Sequence, residues 1–202
     1  SNNNDYITVT QGEAAFTNLN GFDYITLDNA FEIHVGDNVP DLTEVTLTLS
    51  CTDETDTWVS DFKIPVHAPN FTVTDIALEE IEGNGNGIAD FGETIALHIT
   101  VKNIGSSLAP DTHFGISCPS PEISFEQSVF EIGDLTAGDS QQIDVTLHIG
   151  ETITVPTAFG MTLCVFSGQY VAYDNYFVNA GCDVEDFETG DFSKYDWQTN
   201  SG

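Results

Sequence analysis

Residues 82–93 read Glu82, Gly83, Asn84, Gly85, Asn86, Gly87, Ile88, Ala89, Asp90, Phe91, Gly92, Glu93. Oxygen-bearing side chains stand at positions 1, 3, 5, 9 and 12 of this stretch, with glycine at position 6. That is the register in which an EF-hand-type loop wraps one calcium ion, which takes ~6–8 oxygen ligands. Gly87 would allow the sharp turn, Ile88 would offer its backbone carbonyl, and Glu93 would bind through both oxygens. The predicted ligand set is therefore Glu82, Asn84, Asn86, Ile88, Asp90 and Glu93, holding calcium in a structural role. The stretch departs from the pattern in its Glu at position 1, its Asn at positions 3 and 5, and its lack of flanking helical sequence. With only Glu82, Asp90 and Glu93 as carboxylates, the expected affinity is modest. The competing reading is a glycine-rich turn between two strands, closed without metal by hydrogen bonds to the Asn side chains. A catalytic metal is disfavoured, because no histidine joins the loop.

Elsewhere the reactive side chains form no constellation. Cys51, Cys118, Cys164 and Cys182 lack the paired spacing of a zinc site. They admit either free thiols buried in strands or disulfides, of which Cys118–Cys164 is the first to test. Cys164 with His148 could suggest a thiol nucleophile, but a cysteine in an apolar strand is ordinarily inert. His34, His98 and His148 fall at the polar phase of alternating runs and should face solvent. His67 and His113 read as loop residues. There is no nucleophile elbow, phosphate loop or zinc-protease motif, and the carboxylates are too scattered to nominate a catalytic pair. The chain is expected to be non-enzymatic.

The charge balance narrows the partners. Thirty-three acidic residues face three basic ones, Lys63, Lys102 and Lys194, for a formal charge of −30. Such a surface repels nucleic acid, whose phosphates need cations, and anionic membranes for the same reason. It attracts divalent cations. No apolar run approaches the ~18 residues of a membrane span, so no membrane insertion is expected. The polar residues 1–5 do not form a signal peptide, so export would require one further upstream.

The elements that must position the loop read as strands. Residues 7–10, 31–35, 45–49, 95–101 and 145–149 alternate apolar with polar side chains and are rich in β-branched types, the pattern of a strand with one buried face. Turn formers separate them: Asn20-Gly21, Gly36-Asp37-Asn38, Gly105-Ser106-Ser107 and Ala137-Gly138-Asp139. Many short strands at this spacing predict an all-β fold of immunoglobulin-like β-sandwiches. An internal repeat organises them. Ile7-Thr8-Val9 followed by Ala15-Phe16 resembles Ile123-Ser124-Phe125 followed by Val129-Phe130. Residues 33–37 match 147–151, residues 47–51 match 160–164, and Phe62, Ile64 and Val66 match Tyr176, Val178 and Ala180. His34 and His148 are 114 positions apart, Cys51 and Cys164 113. The repeat predicts residues 1–68 as an N-terminally incomplete sandwich, 69–181 as a complete one, and 182–202 as a tail or the first strand of another domain. A module is thus about 113 residues, and the first copy lacks two or three strands, about 45 residues. Either preceding sequence or another chain would cover that gap.

Two stretches carry a family resemblance. Asn84 to Thr94, then Leu97 to Gly105 with Asn103, and Ala109-Pro110, resemble the opening of CARDB-like or fibronectin-like immunoglobulin modules of secreted bacterial peptidases and adhesins. In such modules an Asn-x-Gly turn joins two strands, and the preceding glycine-rich loop is often taken as a calcium site. Glu185-Asp186-Phe187-Glu188, Gly190-Asp191-Phe192 and Trp197 resemble the start of a jelly-roll adhesin domain, in the order found in gingipain-type cysteine peptidases. The resemblance implies a secreted or bacterial cell-surface location. It also implies a non-catalytic structural or accessory role beside other domains of the same polypeptide. The alternative is an adhesion module for a glycan or host protein, using Trp58, Tyr170, Tyr173 and Tyr176.

Overall fold

Every regular element is a β-strand in the computed structural model, which describes residues 5–17, 19–152 and 155–181. In chain order they are β1 (Ile7–Gln11), β2 (Glu32–Val35), β3 (Thr43–Thr52), β4 (Thr57–Val66), β5 (Phe71–Glu82) and β6 (Thr94–Asn103). Then follow β7 (Ala109–Ser117), β8 (Ile123–Phe125), β9 (Val129–Leu135), β10 (Ser140–Ile149), β11 (Thr157–Ser167) and β12 (Tyr170–Ala180). The all-β expectation holds, and all pairings are antiparallel.

Strands β5 to β12 build a sandwich of two four-stranded sheets, ordered β5-β6-β10-β8 and β12-β11-β7-β9. Period-two alternation fills the space between them. Ile95, Leu97, Ile99 and Val101 of β6 point inward, as do Ile143, Val145, Leu147 and Ile149 of β10. Phe159, Met161, Leu163 and Val165 of β11 meet them from the other sheet, with Phe114 and Ile116 of β7. Burying such a side chain contributes about 1.5–3 kcal/mol, so these two to four residues per strand fix register. A slip of one residue would turn each row to solvent.

The preceding segment is much more open. Here β1 pairs only with β2, and β3 only with β4, among the described residues. Their shared core is Ile7, Val45 and Leu47, with Ile64 and Val66 packed against it. The pairing repeats that of the sandwich. Ile7↔Val35, Thr8↔His34 and Val9↔Ile33 reproduce Ile123↔Ile149, Ser124↔His148 and Phe125↔Leu147. Likewise Val45↔Ile64, Leu47↔Phe62 and Cys51↔Trp58 reproduce Phe159↔Val178, Met161↔Tyr176 and Val165↔Ala172. So β1, β2, β3 and β4 are the counterparts of β8, β10, β11 and β12.

This register corrects several sequence expectations. Leu47 corresponds to Met161 rather than Gly160, and Cys51 to Val165 rather than Cys164, because Leu47 and Met161 are the buried members of their strands. Ala15 and Phe16 lie in irregular chain. Their counterpart β9 is held by β7, and among the described residues no strand plays that part beside them. His113 is not a loop residue; it sits in β7 and stacks on Phe166, ring centroids 5.2 Å apart. Cys118 and Cys164 are free thiols. Cys164 stands opposite Gly115, while Cys118 lies beyond the end of β7, too far along the chain to meet it. The expectations for Cys182 and for residues 182–202 fall outside the described residues.

Candidate functional site

The 82–93 loop joins β5 to β6 at one end of the sandwich. Gly85, Gly87 and Gly92 have φ of 78°, 76° and 81°, left-handed values that glycine adopts without strain. Two Asx turns shape the bend: Asn86 N–H donates to Asn84 Oδ1 at 2.9 Å, and Ile88 N–H to Asn86 Oδ1 at 2.7 Å. The amides of Asn84 and Asn86 then donate to Asp90 Oδ2 at 2.8 and 2.9 Å. Glu93 is only 5% exposed. Its two oxygens accept the N–H groups of Asn84 and Asp90, each at 2.9 Å. The loop is also sewn to the sandwich, since Gly92 N–H donates to the Ile149 carbonyl and Gly181 N–H to that of Ala89.

Of the six predicted ligands, Asn84, Asn86, Asp90 and Glu93 are therefore drawn together. Ile88 enters through its N–H, and Glu82 does not join. Glu82 is exposed at the end of β5, opposite Thr94, beyond a bulge at Ile81. Its place is taken by Glu80, which accepts Gly85 N–H at 2.6 Å and Gly87 N–H at 3.0 Å. The sequence signal for Glu80 is phase: it continues the inward row of Ile76 and Leu78. Gly83 lies where any Cβ would collide with the carboxylates of both Glu80 and Glu93. Glu80, Asp90 and Glu93 and the Asn84 and Asn86 amide oxygens are each taken up by N–H donors of the loop, and among the described residues no group of three or more His, Cys, Asp and Glu side chains is placed to hold a metal ion. Each oxygen already holding an N–H keeps a further lone pair.

A second cluster joins the open segment to the sandwich. Asp41, between β2 and β3, accepts the Ala68 N–H at 2.9 Å and the hydroxyl of Ser106, between β6 and β7. His67 Nδ1 lies 2.6 Å from the same hydroxyl oxygen. The Ser106 proton is committed to Asp41, so His67 is the donor there. Desolvation pushes the Asp41 carboxyl up. The bonds from Ser106, and from the backbone of Ala68, Leu42 and Ser106, outweigh it and hold the group below its ordinary range. Val39 and Ala68 are buried alongside.

A third polar group lies on the outer face of the sandwich. His98 Nδ1 is 2.7 Å from Asp144 Oδ1, and its Nε2 is 2.9 Å from Glu79 Oε2. These bonds, Asp144 first and Glu79 second, raise the imidazole pKa, and His98 in turn lowers that of Asp144. Alternation placed His98 outward correctly, but it gave no sign that its two neighbours across the sheet are acids. His34 and His148 are exposed as expected. Burial pushes the Cys164 thiol pKa up, against an opposing bond with Tyr173. Of the four aromatics expected on the surface, Trp58 and Tyr173 are exposed, while Tyr170 and Tyr176 pack on the core.

No protein-family model matches the sequence, and no curated protein matches it. Among solved structures, the chain is similar to the native conformation of alpha-2-macroglobulin from E. coli, with 11% identity and a TM-score of 0.40 over 75% of this chain. This chain spans 9% of the length of that protein.

Proposed function

We propose that this chain is a non-catalytic structural or accessory module of a secreted or bacterial cell-surface protein, of the protease or adhesin kind that its CARDB-like and gingipain-like stretches resemble. The observation that supports it most is the inter-segment clasp. Asp41, His67, Ala68 and Ser106 lock the β1–β4 segment to the sandwich across a four-residue connection, as a spacer of fixed length and angle requires. The partners are then other domains of the same polypeptide. Deleting residues 1–181 from the polypeptide that carries them should impair its stability, anchoring or activity. Full retention of all three would overturn the proposal.

Calcium at the 82–93 loop belongs to the same reading. Asp90, Glu93 and Glu80 would hold it, with the Asn84 and Asn86 amide oxygens. Its charge would offset the repulsion among Asp90 and Glu93 of the loop and Glu80 of β5. A structural ion there would brace the end of the sandwich that the loop closes.

A second reading, an adhesion module for a glycan or host protein, is favoured by one surface. Val171, Tyr173 and Phe177 stand in phase on the outer face of β12 and are exposed, beside the stacked His113–Phe166 pair on the same sheet. Sugars stack on such rings. Specific glycan-array binding lost in Tyr173→Ala would establish it, and a glycan array and a pull-down that both stay blank would remove it.

A further inference from the structure

The chain contains three Asn-Gly pairs, Asn20-Gly21, Asn84-Gly85 and Asn86-Gly87. All three asparagines are exposed. Such a pair is open to self-modification, because glycine has no Cβ to keep its nitrogen off the preceding side chain. The glycine nitrogen gives up its proton and attacks the asparagine Cγ. A new N–Cγ bond closes a succinimide ring, and the side-chain nitrogen leaves as ammonia, carrying that proton. Water then opens the ring to aspartate or, at the other carbonyl, to isoaspartate. The reaction consumes only water. Residue type and exposure treat the three pairs alike, but their hydrogen bonds do not. In the 82–93 loop Glu80 holds both attacking nitrogens: Oε1 accepts the Gly85 N–H at 2.6 Å and Oε2 the Gly87 N–H at 3.0 Å. The target amides are pinned as well. Asn84 Oδ1 accepts the Asn86 N–H, Asn86 Oδ1 accepts the Ile88 N–H, and both side-chain nitrogens donate to Asp90 Oδ2. Ring closure there must break a charge-assisted bond and turn a side chain tied at both ends. Asn20 is tied at one end only, by Nδ2 to Asp23 Oδ2 at 3.0 Å. Its attacking nitrogen, on Gly21, has no acceptor among the described residues, and the space beside Gly21 is open.

We infer that Asn20 is a deamidation site of this chain and that Glu80 protects Asn84 and Asn86 from the same reaction. A carboxylate does not strip a backbone amide of its proton in water, so Glu80 restrains the two nitrogens rather than activating them. The restraint preserves the loop. Conversion at Asn84 or Asn86 would replace a donor to Asp90 with a carboxylate, ending that bond and setting like charges together. The isoaspartate product would also lengthen the backbone inside a bend whose glycines hold left-handed φ. At Asn20, in the chain between β1 and β2, the same conversion loses one exposed hydrogen bond.

The test ages the full chain at mildly alkaline pH with a chelator present, so that no bound cation contributes to protection. Digestion with a glutamate-specific protease and mass spectrometry then follow the amide-to-acid conversion at each asparagine. Asn20 should convert at least tenfold faster than Asn84 and Asn86, whose reaction waits on local opening of the loop. In urea the three rates should converge, because each asparagine precedes glycine. Glu80→Ala should speed Asn84 and Asn86 at least fivefold and leave Asn20 unchanged. Glu80→Gln separates a specific hold from general loosening: its single amide oxygen can accept one glycine N–H, so one asparagine should speed up and the other stay slow. The inference is overturned if Asn20 is no faster than the other two in the native chain, or if Glu80→Ala leaves both slow. It is also overturned if Glu80→Gln frees both equally, which would make Glu80 a support of the loop and not the holder of each nitrogen.

Discussion

Glu93 closes the 82–93 loop with one carboxylate: it is buried and accepts two backbone N–H groups. Glu93→Ala leaves both donors without an acceptor, which costs about 1–3 kcal/mol each. Chemical denaturation should therefore show a clear loss even without metal. Millimolar calcium should raise the melting temperature of the native chain by mass action and leave that of Glu93→Ala unchanged. No calcium response in the native chain would leave the loop as a metal-free turn. At His98 the prediction concerns pH. Its folded pKa is raised, so its stabilising contribution is complete below the unfolded value and fades as pH rises through the folded one. Asp144 has a lowered pKa, so its contribution is present above its unfolded value and fades as pH falls through the folded one. The pair is firmest in the mildly acidic window between. A proton NMR titration of His98 should show a midpoint above that of an exposed histidine, falling toward it in Asp144→Asn. An unmoved midpoint would contradict the assignment.

Among the elements, the turn after β6 carries the most weight. Asn103 is fully buried and uses its whole amide: Nδ2 donates to the Ser107 and Leu135 carbonyls at 2.8 and 3.0 Å, and Oδ1 accepts the Asn70 and Gly105 N–H groups at 3.2 and 3.0 Å. Asn103→Ala orphans these groups and should cost about 3 kcal/mol in urea denaturation; a loss under about 1 kcal/mol would mean the turn is held otherwise. The sequence marked this turn through its Asn-x-Gly spacing, and it marked the strands through alternation, because both are local patterns. It misaligned β3 by one residue because two cysteines looked equivalent, whereas burial of Leu47 and Met161 sets the match. It took Glu82 for Glu80 because a bulge at Ile81 changes the phase of β5, and a bulge leaves no trace in spacing. Asp41 and Ser106 went unnoticed because they are 65 residues apart and meet only once both segments have folded.

For the molecule as a whole, the proposed spacer role requires that its two parts keep a fixed relation. The connection from Val66 to Phe71 is short, Gly105 packs so closely on Ala68, Pro69 and Asn70 that any Cβ would strike their backbone, and Asp41 and Ser106 close the junction. Gly105→Ala should therefore loosen the junction without unfolding β6, β10 or β11. The most direct measurement is a set of backbone residual dipolar couplings from β3–β4 and from β5–β12 of the native chain. The account predicts that a single alignment tensor fits both sets, and that Gly105→Ala splits them. Two different tensors in the native chain would contradict it.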